Sequence, residues 1–473
     1  MNNNWIALSG DVWSSAHSWS LGTVPSFSDN VIFASGFSNY ACTVDVDAEV
    51  NDLVTSGTYG GALSWASHTL TASGNITLDG SGSLNLGNGV TCNGASGTFH
   101  VGTGVGAVTA TSFVLTMNTA TAGVIDIDKG SVFCKQFVIS PAAAVTNSGA
   151  AFPTTIRGNV TPIIIGAGAT FISTQAIYIQ PTAAVTLWDI GAGATVTVTI
   201  LIVYNQGNFN GTITVPAAAI SATRVDFQST GAADLLYNVT GVLNFGAGEF
   251  RIINNAATSK ITFITNDYNF SCGVVLVGSN AAGGLATYNF GSSVIACSAF
   301  DGLTYNNATT TLNMQTSTWT CSGSWTFGSN HTIDPGTSVI NCVGTANRDL
   351  TFNNKPVYDL NINTLSGTVT TFIDEPLISG DFTVTEGSTD LSNLSYSGYG
   401  DILFNGNGQH VIGSGITLVN EGTLEFGNTL GNITSAGCVV NFNNNGNFYV
   451  YDNDITINRM ILASGCSYKI RSE

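Results

Sequence analysis

The chain has 473 residues, of which only 8% are charged, against about 25% in an ordinary soluble domain. Lys and Arg number 11 and the net charge is −18, so the basic footprint that nucleic acid requires is missing, and anionic membranes and polyanionic glycans are disfavoured for the same reason. Hydrophobic residues make up 44%, too much to bury for a disordered chain. Val, Ile, Thr, Phe and Tyr punctuated by 55 glycines and by Asn, Asp and Ser form a strand-and-turn composition, that of an all-β protein.

The opening "MNNNWIALSG" has neither the basic nor the apolar segment of a secretory signal, which predicts a product made in the cytoplasm. Residues 10–33, "GDVWSSAHSWSLGTVPSFSDNVIF", crowd Trp13, His17, Trp19, Pro25 and Asp29 ahead of an alternating run that starts at Val31. Two readings compete. Trp13, His17 and Trp19 could form a ligand site, or they could plug the end of a fold. A place at the open end of a stack of coils favours the plug: Trp13 and Trp19 lid the first coil, Pro25 turns the chain, and Asp29 fixes the turn into the strand. Residues 1–40 are therefore predicted to be a cap or attachment segment that covers edge strands.

From 69 to 104 the chain reads "TLTASGNITLDGSGSLNLGNGVTCNGASGTFHVGTG", with short strands centred near Leu70, Ile76, Leu84, Val90 and Phe99. Three such strands make one turn of a right-handed parallel β-helix, a β-solenoid whose coils stack about 4.8 Å apart. A sandwich would also show closely spaced strands, so the longer period decides. Cys272, Cys297, Cys321 and Cys342 are separated by 25, 24 and 21 residues, which predicts an inward ladder of thiols packed as small hydrophobes. "TVTVTILIVY" at 195–204 alternates and spans ten residues, a strand too short for a membrane helix. Pro141, Pro153, Pro162, Pro181 and Pro216 mark 141–216 as irregular, and proline belongs at turns between coils. "GTANRDLTFNNKPVYDLNI" at 344–362 suggests a seam, giving a first β-helix segment over 41–345 and a second over 346–473.

Candidate chemistry centres on carboxylates. Asp45, Asp47 and Glu49 alternate with apolar residues and are predicted to share a strand face, as are Asp126 with Asp128 in "VIDIDKG" and Asp452 with Asp454 in "YDNDIT". Such pairs suit a glycoside hydrolase or a calcium ion, and they equally suit wet strand ends, the reading preferred here. The Gly-His-Gly and Arg-Ile-Lys of polygalacturonase-type β-helices are missing, and the five histidines form no HxH, HxxxH or HExxH. No catalytic residue and no resident metal or cofactor is therefore expected, with calcium at these carboxylates left open. "VVNFNNNGNFYVYDNDITIN" at 439–458 reads as an asparagine ladder, and Tyr449 and Tyr451 on one face could stack on a sugar.

"GDVWSSAHSWSLGTVPSFSDNVIFASG" followed by "CTVDVDAEVNDLVTSG", with "LTASGNITLDGSGSLNLGNG" downstream, resembles the β-helical surface and virion proteins of bacteriophage tail fibres, tail spikes and capsid decorations, and of secreted bacterial adhesins. The resemblance covers about 50 residues closely and carries no catalytic residue. It implies a non-enzymatic structural or adhesive role in a virion, trimeric by default, with other virion proteins and host surface glycans as partners. A bacterial surface adhesin and a polysaccharide depolymerase are the alternatives.

Overall fold

A computed structural model describes residues 1–383 with their side chains, apart from 109–112, 130–131, 149–154, 205–208, 210, 365–368, 375–376 and 381. At 109, 154 and 205, and beyond 383, it describes strand backbone alone. The chain is an all-β parallel β-solenoid, and the one helical element among the described residues is a 3-10 turn at Ala16–Ser18. It divides into two compact units, Met1–Phe227 and Gln228–Glu473.

The first unit shows how the alternation in the sequence becomes a core. Strand Asn30–Phe33 buries Val31 and Phe33 and turns Asn30 and Ile32 outward. It pairs in parallel with Asp52–Thr55, placing Leu53 on Val31. Ile76 then stacks on Leu53, Phe99 on Ile76 and Ile125 on Phe99. These steps of 22, 23, 23 and 26 residues are each one coil. Two further columns complete the coil, one through Leu63 and Leu84 and one through Leu70, Val90, Leu115, Phe137, Ile163 and Trp188. Each coil thus has three short strands and a corner between each pair, and no coil buries its own apolar side chains without its neighbours.

The proline-marked region obeys the same rule with longer strands, Thr170–Pro181 and Thr195–Asn205, whose register shifts between Ser173 and Ala176. Pro162 precedes a strand, Pro181 ends one, and Pro141 and Pro216 follow strands, so none of the four interrupts a ladder. Pro153 lies outside the described residues.

In the second unit the columns are aromatic. Phe270, Ile295, Trp319, Ile340 and Leu360 stack in one, and Val275, Phe300, Trp325, Leu350 and Phe372 in another. Trp319 joins them: its ring centroid lies 4.8 Å from Phe290, 5.2 Å from Trp325 and 5.6 Å from Phe300, all close to perpendicular. Edge-to-face pairs of this kind add to the area they bury. A recurring Phe-Gly step supplies corners. Phe245 and Phe290 point inward, and Gly246 and Gly291 then turn the chain at φ +66° and +57°. A Cβ on Gly291 would also fall 2.1 Å from Asp267 Oδ1.

Outside the core, asparagine amides link coils: Asn51 donates to Asn30 at 2.8 Å and Asn361 to Asn341 at 3.0 Å. The asparagine run at 439–458 lies outside the residues whose side chains are described.

Removing the central ring tests this packing. Trp319 is fully buried and Val294, on the same sheet, is 49% exposed. Trp319→Ala should therefore cost about 3–5 kcal/mol in urea unfolding of the unit that holds it. Val294→Ala should leave the midpoint unchanged.

Candidate functional site

The tryptophans near the start of the chain form one cluster. Trp13 and Trp5 each meet Trp19 edge-on, at 4.9 and 5.0 Å between centroids, and all three rings surround Phe33. Trp19 Nε1–H donates to the Trp13 carbonyl at 2.8 Å, and Trp5 Nε1–H to the Tyr40 carbonyl at 3.1 Å. Trp13 and Trp19 are each 1% exposed, so neither offers a ring face to a ligand. His17 takes no part in the cluster. Its side chain is 84% exposed, with Nε2 3.2 Å from Asp11 Oδ2. Pro25 is buried, and Asp29 accepts from the Ser26 N–H and hydroxyl, both at 2.9 Å, which holds the turn before Asn30–Phe33. Trp5 went unnoticed in the sequence because it stands outside the dense 10–33 stretch.

Asp45 and Asp47 do not share a strand face. Residues 44–47 bend between strands Cys42–Thr43 and Ala48–Val50, and the two carboxylates turn to different coils. Asp45 accepts from the Ser14 N–H at 2.9 Å and its hydroxyl at 2.6 Å. Asp47 accepts from the Thr69 N–H at 2.9 Å and its hydroxyl at 3.0 Å. Burial works against the Asp45 charge but the Ser14 hydrogen bonds outweigh it, and the Thr69 bonds act likewise on Asp47. Both pKa values lie below the usual carboxylate value. These two groups anchor turns.

Cys297 and Cys321 are register partners, as are Cys321 and Cys342, and Cys272 follows the Phe270–Ser271 strand that pairs with Ile295–Ala296. All four are buried free thiols. Burial pushes Cys272 and Cys342 up to about 12, so at neutral pH they are packing groups and not nucleophiles. Tyr449 and Tyr451 lie on strand Asn447–Tyr451, outside the residues whose side chains are described.

Asp126 has company that the sequence did not announce. On strand Gly123–Ile127 it points outward and is the register partner of His100 on Thr98–Val101, which in turn lies opposite Thr77. The His100 Nδ1 is 2.8 Å from Asp126 Oδ2, and its Nε2 is 3.0 Å from Asp79 Oδ1. Burial opposes a charge on His100, but the hydrogen bonds to Asp126 and Asp79 outweigh it and raise its pKa above the ordinary histidine value. The next residues outward in register are Asp79, Gly102 and Asp128, following the Leu78, Val101 and Ile127 column. The bare Gly102 makes the meeting possible, because a Cβ there would sit 2.1 Å from Asp79 Oδ1 and 3.2 Å from His100 Nε2. His100, Asp126 and Asp128 present donor atoms within 4.8 Å of one another. Among the described residues this is the one group of three histidine, cysteine or carboxylate side chains whose donor atoms come together in this way. Its members are half-buried, with His100 19% and Asp126 31% exposed. Coil spacing was the signal that could have found it, since His100 precedes Asp126 by 26 residues and follows Asp79 by 21.

No protein-family model, curated protein or solved structure matches the chain.

His331 makes the opposite case to His100. It is 2% exposed, packs toward Phe327, and neither ring nitrogen has a hydrogen-bond partner. Burial, reinforced by the Lys355 charge and only partly offset by Asp301, lowers its pKa to about 4. An unfolded histidine takes its proton near pH ~6.5. Between pH ~6.5 and 4 the unfolded chain is therefore protonated where the folded one is not, and stability is lost as pH falls through that window. The loss should reach about 3 kcal/mol near pH 4. Urea midpoints at pH 7 and 4.5 check it: the drop should shrink in His331→Leu.

Proposed function

We propose that this chain is a non-enzymatic structural and adhesive component of a bacteriophage virion, a fibre, spike or capsid decoration, assembled as a trimer and presented to host surface glycans. The stacked parallel coils support it, since such a fold supplies an extended surface from one repeated packing rule. The observation that carries the attachment part is the exposure pattern of the first 40 residues. In the same segment as the buried tryptophans, Leu8 is 91% and Phe27 69% exposed, and Phe37 and Tyr40 are each more than half exposed. We infer that these exposed apolar side chains of one segment meet another protein. We assign that partner to the particle and the buried tryptophans to the lid that gives the attachment segment its shape.

Purified phage particles test the reading. The chain should co-purify with them at fixed stoichiometry, and Leu8→Ser with Phe27→Ser should lower its copy number several-fold without changing its urea midpoint. Recovery of the protein from uninfected cell surfaces, with none on particles, would favour the adhesin and end the virion reading. Release of oligosaccharide from host capsule, lost on Asp126→Asn, would make it a depolymerase.

A further inference from the structure

We propose that His100, Asp126 and Asp128 bind one divalent transition-metal ion, zinc by ligand class, on the outer face of the first unit. The proposal stands on how three coils converge. Register places Asp126 opposite His100, and Asp128, just past the last register pair Val101 and Ile127, donates its N–H to the Val101 carbonyl at 2.9 Å. The three donor atoms already lie within 4.8 Å of one another, with Nδ1 and Asp126 Oδ2 2.8 Å apart. Zinc accepts one imidazole nitrogen and two carboxylate oxygens at about 2.0–2.2 Å, with a fourth position for water. An imidazole in the set favours zinc over calcium, which prefers an all-oxygen shell.

The other side of the ring supports the assignment. A histidine that ligates through one nitrogen usually donates its second N–H to a carboxylate, which fixes the tautomer and the ring plane. Asp79 Oδ1 occupies that place at 3.0 Å from Nε2. The ion then replaces the Nδ1 proton, which leaves to solvent, while the Nε2–H stays with Asp79. Asp79 is a positioning residue in this arrangement and not a ligand. The site is reachable, since the ligands His100 and Asp126 are 19% and 31% exposed and the neighbouring Asp79 is 45% exposed.

Equilibrium dialysis of the full chain, first stripped with chelator, tests this with zinc and separately with calcium. The expected result is one zinc bound by the wild type, with binding abolished in His100→Gln and in the double variant Asp126→Asn with Asp128→Asn. Asp79→Asn should keep one site and weaken it about 10–100-fold. Asp45→Asn, outside the cluster, should bind as the wild type does. Cobalt in place of zinc should give visible bands without the intense thiolate absorption of a cysteine site. Long-range proton–nitrogen spectra of the wild type read the ligand atom directly, whatever the variants do to folding. The signal of the His100 Nδ1 should move on adding zinc, and Nε2 should keep its proton. Zinc that leaves the His100 signals unmoved, zinc binding unchanged in His100→Gln, or a wild type that binds none would each overturn the proposal. Calcium bound as tightly as zinc would also do so.

Discussion

Everything in this molecule depends on coil-to-coil register. A strand in a parallel solenoid is hydrogen-bonded on both edges, and each inward side chain must land on the inward side chain of the coil before it. A slip of one residue would turn a whole column outward. Apart from local shifts such as those at Ser173/Ala176 and Ile362/Asn363, the chain keeps the register while the coil length varies. Phe270 to Ile295 is 25 residues and Ile340 to Leu360 is 20, and left-handed backbone occurs at corners within these coils, at Gly291 and Asn353. Ladders of asparagine amides such as Asn30 with Asn51 reinforce the same alignment from outside.

The register also creates the candidate site. Strand alternation sends His100 and Asp126 outward together, and stacking sets them opposite each other although 26 residues separate them. The cluster needs no loop of its own. Its histidine and Asp126 stand on strands, and Asp79, Gly102 and Asp128 directly follow strand ends, a rigid support that holds a binding geometry. The N-terminal tryptophans are the inward counterpart: Trp5, Trp13 and Trp19 gather on Phe33.

Much of the fold was legible because alternation is local. Val31 and Phe33, the Leu70 to Phe99 run and the spacing of Cys272, Cys297, Cys321 and Cys342 each carry the pattern in a few residues or in one period. The site was less legible because its parts are distant in sequence. Asp126 and Asp128 stood out as neighbours, but their partner His100 looked isolated until coil length was applied to it. Alternation misled at Asp45 and Asp47, where short strands end and a bend sends two carboxylates to Ser14 and Thr69. Strand periodicity holds only inside strands, and here many have two to four residues. His17 misled in another way: beside two tryptophans in sequence, it stands on a 3-10 turn that carries it to solvent.

The most direct test of the account is the separation of two outward residues that register sets side by side. Thr320 and Asn341 are partners on adjacent coils of the second unit. Nitroxide labels on Thr320→Cys and Asn341→Cys should sit on strands about 4.8 Å apart and show strong dipolar broadening, because the native thiols nearby are buried. Labels on Thr320→Cys and Asn330→Cys, which are not register partners, should show much less. Equal broadening in the two pairs, or none in the first, would contradict the stacked parallel coils on which the site and the proposed function rest.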